Sequence, residues 1–302
     1  LPMSIENAAR FVEPFRITNG KKFRLADIPT DWLGGHDLSK DEGKALLAEG
    51  KVRLFDLQER LYAADRWSVL MILQAMDAAG KDSTIEHVMS GVNPQGCQVH
   101  SFKAPSPEEL DHDFLWRTAR ALPERGRIGI HNRSYYEEVL VVRVHPEFLG
   151  GQRLPENGIA KKAGSEKFWA ERLEAIADHE RHLARAGTKV MKFFLHVSKD
   201  EQKERQLERI DDPRKNWKFN ARDVVERAHW DDYMAAYEEA IRATAAPHAP
   251  WYVIPADKKW FMRLAVMAAT IAEMESLDLK FPELSDAAKA KLMTARKALE
   301  AD

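Results

Sequence analysis

The sequence predicts an α/β fold, a three-layer, doubly wound parallel sheet of five strands. Three observations predict it. Residues 69–73 are apolar throughout and rich in β-formers, the pattern of a strand buried on both faces of a parallel sheet. Four further strand-like stretches, 97–102, 127–131, 189–197 and 251–254, are separated by helical periodicity, which reads as crossover units with right-handed connections. The first strand also runs into a small-residue turn, Lys81 and a polar helix start, which together make an anion cradle.

The elements follow in order. Residues 1–36 mix Pro14, Gly20, Pro29, Gly34 and Gly35 with charges and scattered aromatics, and read as an extended arm lying over something else, another subunit included. Helical spacing starts at 38–65, with Ser39 as cap and Leu46, Leu47, Leu54, Leu57 and Leu61 recurring. After the loop helix, Asn93-Pro94-Gln95-Gly96 makes a turn into the second strand. Ser106 then caps a helix over 107–122, with Pro107 at its first position and acidic residues in its first turn. The third strand ends at Asn132-Arg133. Residues 139–144 would pass as a strand on propensity, but the pair Glu137-Glu138 opens them as a short helix.

A loop with Lys161-Lys162 at its tip precedes Ser165, which caps a long helix ending near Gly187. Past the fourth strand come a helix at 199–210, a charged break at 211–218 and an amphipathic helix at 221–245. The last helix spans 258–277, and the tail after Pro282 is helical and solvated. The chain thus divides into an arm (1–36), a central domain (37–280) and a C-terminal tail (281–302).

Composition narrows the function classes. The 302 residues hold 46 basic and 48 acidic side chains, so there is no generally basic coat for nucleic acid, and any polyanion site must be a local concentration of Lys and Arg. Cys97 is the only cysteine, which excludes an internal disulfide and a thiolate metal cluster. No apolar run reaches the ~18 residues that span a bilayer. These features suit a soluble protein of the cytoplasm, with no membrane partner.

The loop departs from the pattern G-x-x-x-x-G-K-[ST]. Ala75 replaces the first Gly and Asp82 the hydroxyl residue, while Gly80-Lys81 is intact. Read alone, it is also compatible with an ordinary strand-to-helix turn. Asp77 inside the loop offers the hard carboxylate oxygen that Mg²⁺ prefers, and Ala78, Ala79, Gly80, Lys81, Asp82 and Ser83 are placed to surround a phosphate. Lys103, Asn132, Arg133 and Lys199 fall at or beyond strand carboxyl ends, where such sheets bind ligands. Phosphoryl transfer asks for cations and in-line positioning rather than covalent chemistry. Lys81 would hold the transferred group, Arg133 would neutralise charge, and Glu137 would serve a second metal or orient the acceptor. Asn132 stands where a phosphate-loop enzyme often has Asp. Residues 203–218 carry six basic side chains (Lys203, Arg205, Arg209, Arg214, Lys215, Lys218) against four acidic ones, the composition of a lid closing over phosphates or of a solvated helix face.

With these residues laid out, the chain resembles the family-2 polyphosphate kinases from about residue 23 to 274. The resemblance rests on LQAMDAAGKDSTIEHVMSGVNPQG, SFKAPSPEELDHDFLWR, IHNRSYYEEVLVVRVHPEFL, DDPRKNWKF and APWYVIPADKKW, in that order. It implies a phosphate-loop kinase fold like that of thymidylate kinase with a helical lid at about 199–220. It also implies dependence on Mg²⁺, which Mn²⁺ can replace, and transfer of a terminal phosphoryl group between inorganic polyphosphate and adenine or guanine nucleotides. Asp77 and Lys81 match its Walker A pair, Asn132, Arg133 and Glu137 its Walker B region, and 203–218 its lid. Asn132 with the MDAAGKDS loop resembles the subgroup that phosphorylates both nucleoside mono- and diphosphates. Polyphosphate would run along Lys103, Arg117 and Arg120, with the nucleotide entering from the lid side and the enzyme acting as a homodimer or homotetramer. The competing readings are an ATP-dependent nucleoside monophosphate kinase and a non-catalytic polyphosphate or nucleotide sensor.

Overall fold

The computed structural model describes residues 7–156 and 158–301; the first six residues of the expected arm, Asn157 and the last residue of the tail lie outside the described residues. The N-terminal segment is folded onto its own chain rather than extended. It forms α1 (Ala8–Val12), a 3₁₀ turn and the short strand β1 (Arg16–Ile17). Phe11, Val12, Phe15, Leu25 and Ile28 are buried in the common core, where Phe11 and Phe15 pack edge-on against Phe261. Aromatic burial of this size is worth a few kcal/mol per ring, which a solvated arm would forgo.

Helix α2 (Lys40–Ala64) begins with a capping box in which Ser39 and Glu42 satisfy each other's backbone N–H, and it ends on Asp65 in the left-handed region. Gly43 lies against the ring of Trp260, where a Cβ would stand 2.4 Å from the ring, so only glycine lets the two helices approach this closely. The chain continues through β2 (Ser68–Gln74), α3 (Lys81–Met89), β3 (Cys97–Ser101), α4 (Pro107–Leu110), α5 (Trp116–Ala119), β4 (Ile128–Asn132), α6 (Val141–Val144), α7 (Glu166–Arg185), β5 (Thr188–His196), α8 (Lys199–Asp211), α9 (Ala221–Glu226), α10 (Trp230–Thr244), β6 (Trp251–Pro255), α11 (Lys259–Glu275) and α12 (Asp286–Leu299).

Among the described residues the sheet has six strands rather than five, in the order β1-β6-β5-β2-β4-β3. Five are parallel. The sixth, β1, pairs antiparallel with β6 through Arg16 and Ile17, and two residues are too few to carry a readable alternation. Helices α1, α2, α3 and α11 cover one face, while α6, α7 and α10 cover the other. Every residue of β2 is buried, as its unbroken apolar run requires.

Two expected helices are each divided. The stretch 107–122 breaks between α4 and α5 because Asp113 turns its carboxylate onto the Leu115 N–H at 2.9 Å, a local bond that competes with the helix. The stretch 221–245 breaks at Arg227–His229, where burial changes: α9 buries no residue, whereas α10 buries Trp230, Tyr233, Tyr237, Ile241 and Thr244 at helical spacing.

Beneath the face covered by α7 and α10 lies a fully buried polar cluster. Lys192 of β5 and Glu180 of α7, both without solvent exposure, form an ion pair. The Lys192 ammonium also donates to the Thr244 carbonyl at 2.8 Å and lies over the Trp251 ring. Tyr135 and Tyr136 donate to Glu180 at 3.0 and 2.8 Å. Burial lowers the Lys192 pKa and raises that of Glu180, and each partner opposes the shift in the other. Removing one member of such a pair leaves the other charge buried alone. Lys192→Ala is therefore expected to lower the unfolding free energy by about 3–5 kcal/mol, as read from urea denaturation.

Candidate active site

The phosphate loop closes the carboxyl end of β2. Its tight path requires Gly80 at φ +110° and also holds Ala78 at φ +62°, a left-handed conformation that a residue with a Cβ adopts only under constraint. The first-turn N–H groups of α3 point out of the helix without intrahelical partners, as an anion site needs. Lys81 is 8% exposed and curls back to donate to the Ala75 carbonyl at 2.8 Å and more weakly to Met76. Burial, then the charge of Arg133, pushes its pKa down, while Asp77, Glu137 and Asp82 pull it up. An arriving phosphate would favour its charged form.

The end of β4 faces this loop. Arg133, at φ +65°, pairs with Asp77 at 2.8 Å and with Glu137 at 3.6 Å. Gln74 at the end of β2 donates to Glu137 at 2.8 Å and accepts from Ser134 at 3.3 Å, which fixes the carboxylate's orientation. Asn132 donates to Asp82 at 2.6 Å, so its amide suits a neighbouring carboxylate that an Asp would repel. Asp77, Lys81, Asp82, Asn132, Arg133 and Glu137 thus stand together.

A residue the sequence reading passed over joins them. Asp223 of α9 pairs with Arg209 at 3.6 Å, and burial, then repulsion from Asp77, pushes its carboxyl up to about 6, against Arg209, Arg133 and Lys81. Nothing in its local sequence distinguishes it from any other surface acid. Among the described residues no group of three or more His, Cys, Asp or Glu side chains converges as a preformed metal site. The donors present, hard carboxylates of Asp77 and Glu137 gathered around the Arg133 cation, suit an ion such as Mg²⁺, which takes one or two carboxylates and completes its shell with phosphates and water.

Helix α8 is divided in role. Arg205, grouped with the lid in the sequence reading, is buried under the loop and donates to the carbonyls of Ala79 and Ala256 at 2.6 Å and Asp257 at 3.1 Å. Gln202 donates to the Asp77 carbonyl at 2.9 Å. These side chains brace the loop from outside and are not free for phosphate. The buried positions 202, 205 and 206 follow helical spacing, a signal masked by their polarity. Lys203 is exposed, Lys215 pairs with Asp212 at 3.5 Å, and Lys218 lies over Trp217, itself 78% exposed. The segment from Pro213 to Asn220 stands open to solvent.

Beside Arg133 and Glu137 opens a cavity of about 400 Å³ with Leu110, Phe114, Val142 and Phe148 in its wall and Lys103 at its margin. Arg117 also lines it but is committed, donating to the Lys103 carbonyl at 2.7 Å and stacking on Phe102. Arg120 is 62% exposed in its side chain and lies on Trp116. Lys103 and Arg117 thus line this cavity together, whereas Arg120 is not among its lining residues.

The cavity wall and α9 are joined by His145. Its imidazole lies 2.9 Å from Glu226 and 3.3 Å from Glu147, with Tyr233 donating to the same Glu226 and His229 stacked edge-on. Burial alone would lower its pKa; the hydrogen bond and charge of Glu226, with Glu147, reverse this and raise it. A raised histidine adds stability that is fully present below its ordinary value near 6.5 and is lost as pH climbs through the folded-state value. Thermal melts are expected to show a wild-type advantage over His145→Gln at pH 6 that shrinks by pH 8.5.

The profile of the family described as Polyphosphate kinase 2 (PPK2) matches residues 37–282. The ADP-polyphosphate phosphotransferase of Rhodopseudomonas palustris is 52% identical over 94% of this chain and 97% of its own. The AMP/ADP-polyphosphate phosphotransferase of Meiothermus ruber is 42% identical over 90% and 96%. The crystal structure of polyphosphate kinase 2 from Arthrobacter aurescens TC1 superimposes with a TM-score of 0.83 at 39% identity, covering 97% of each chain. A loop that keeps Asp77 and Lys81 opposite Arg133, on a sheet of this topology, therefore has a family: the chain belongs to the polyphosphate kinase 2 family.

Proposed function

We propose that the protein transfers the terminal phosphoryl group of inorganic polyphosphate to nucleoside mono- and diphosphates, and runs the reverse reaction. The observation that carries the reading is the placement of Arg133 and Glu137 between two unlike spaces. On one side is the loop with its Lys and open N–H groups under a basic, exposed lid, suited to a polyanion. On the other is an apolar cavity of a size suited to a nucleobase and ribose. The donor would lie along the loop and lid, and the acceptor in the cavity with its phosphates toward Arg133. This exchanges the sides expected from Lys103, Arg117 and Arg120.

The acceptor oxygen is already ionised near neutral pH, so no strong general base is needed, and the work is positional and electrostatic. Lys81 and the loop N–H groups hold the transferred group. Arg133 exchanges its pairing with Asp77 for phosphate oxygens, and the freed Asp77, with Glu137 and Asp223 beside it, offers oxygens to a metal. Mg²⁺, or Mn²⁺ in its place, would supply charge neutralisation between neighbouring phosphates. Closure of the lid would bring Lys203, Arg209, Lys215 and Lys218 over the chain and exclude water. In this reading residues 37–280 are the catalytic unit, with the lid at about 199–220. No helix among the described residues is long and apolar enough to cross a membrane, and we place the enzyme in the cytoplasm as a homodimer or homotetramer.

The test is nucleotide product formation with Mg²⁺ and long-chain polyphosphate, supplying AMP, ADP, GMP and GDP separately without ATP. Product from mono- and diphosphates is expected. Product from diphosphates alone would remove the broad acceptor range, and activity only with ATP as donor would make the protein an ordinary nucleotide kinase. Asp77→Ala and Lys81→Ala are expected to lower kcat/KM by at least about 100-fold with circular dichroism unchanged, as for loss of a main transition-state contact; a variant that keeps most of its rate would overturn the site assignment, and binding without turnover, indifferent to Asp77→Ala, would fit a sensor instead.

A further inference from the structure

Helix α12 is an element with no place in its own chain. It runs for 14 residues, about 21 Å, and none of them is buried. Its sequence is nonetheless amphipathic: Ala288, Leu292, Ala295 and Leu299 recur at i, i+4, i+7 and i+11, one face of a helix, and Leu292 and Leu299 are 57% and 75% exposed. Four basic residues, Lys289, Lys291, Arg296 and Lys297, stand against one acidic residue. A helix of this length is marginal in water by itself, so an apolar stripe kept along it calls for a surface to bury it.

The complementary surface lies between α2 and the end of α11. It is a groove with Val52 and Leu279 in its floor and walls and with Glu49, Asp56, Glu275 and Asp278 around it. The two guanidinium groups there, Arg53 and Arg60, are already held by Glu275 at 2.8 Å and Asp56 at 3.0 Å, leaving the groove acidic overall. Val52 is 72% exposed, an apolar side chain on a charged rim. Acidic groove and basic helix are opposite in charge, and Val52 is the exposed apolar side chain that the groove offers to the helix stripe.

We propose that α12 of one copy docks, apolar stripe inward, in this groove on a second copy, so that two copies exchange C-terminal helices about a two-fold axis. The chain's own path favours exchange over folding back. It leaves the groove at the buried Leu279, the six residues from 280 to 285 are exposed and without regular structure, with the Phe281 ring under the Arg60 guanidinium at 5.9 Å, and no residue of α12 that follows is buried on its own body. The same groove is left open on every copy, and exchange of a terminal element satisfies both at once. The inference rests on the oligomer proposed above, to which it gives a surface, and is independent of the catalytic reading.

Mixing two charge-reversed full-length proteins tests it by light scattering. One carries Lys289→Glu with Lys291→Glu on the helix, the other Glu49→Lys with Asp56→Lys on the groove. The wild type is expected at a mass of an even number of chains. Each variant alone is expected to fall to half that mass with its helical content retained, because each meets like charge at both docking sites. An equal mixture is expected to recover the wild-type mass, since each reversed helix then meets a reversed groove and each native helix a native one. Leu292→Asp with Leu299→Asp should also halve the mass. A monomeric wild type overturns the proposal. So does an unchanged mass in the charge variants, which would keep the oligomer and discard this surface. A mixture that stays at half mass overturns it too, since a helix folded onto its own groove cannot be rescued by another chain.

Discussion

The site depends on a charge pair that never meets water. Lys192 and Glu180 sit at the base of the sheet's α7 face, and the hydroxyls of Tyr135 and Tyr136 close on Glu180. Those tyrosines lie between Arg133 and Glu137 in sequence, so tying them down fixes the short turn on which both functional side chains ride. Arg133 holds a left-handed backbone, a conformation costing on the order of 1–3 kcal/mol that persists only where the surroundings over-determine it. The buried pair is such a surrounding: the desolvation of two ions is offset by their attraction and by three further polar partners, the Tyr135 and Tyr136 hydroxyls and the Thr244 carbonyl, and the result is a rigid platform rather than a large gain in stability.

A second brace acts from the opposite side. Arg205 and Gln202 reach from α8 to the carbonyls of the phosphate loop, and Arg205 also ties the loop to the turn after β6. The loop is thereby held between a strand and a helix while the residues that follow on α8 lead into the exposed segment from Pro213 to Asn220. One helix thus carries both the brace of the loop and the start of that exposed segment. The Asp77 to Arg133 pair sits between the two braces, and in the absence of phosphate it satisfies both charges.

Much of this was legible because the physics is local. The unbroken apolar run of β2 reads as a doubly covered strand, Ser39, Ser106 and Ser165 each announce a helix start by side-chain capping, and Gly80-Lys81 at a strand end reads as an anion site once its neighbours are considered. What escaped depends on contacts distant in sequence. The strand β1 exists because β6 offers it an edge, not because two residues have a pattern. Asp223 matters because α9 returns to the loop. The role of Arg205 could not be separated from that of Lys203 or Arg209 by composition, since a charge run carries no record of which members face inward. Composition likewise does not separate Arg117, which donates to the Lys103 carbonyl, from Arg120, which lies exposed on Trp116.

The buried ion pair also sets how the frame responds to heat. Hydration of charged groups carries a strongly negative entropy, so withdrawing Lys192 and Glu180 from water costs less as temperature rises, while stabilisation per unit of apolar area levels off. The part of the molecule that aims Arg133 and Glu137 therefore gains in relative strength over the purely apolar packing around it on warming. Near the melting range the first regions to loosen would be those held by apolar contact or by nothing, and the catalytic geometry would be among the last features to dissolve.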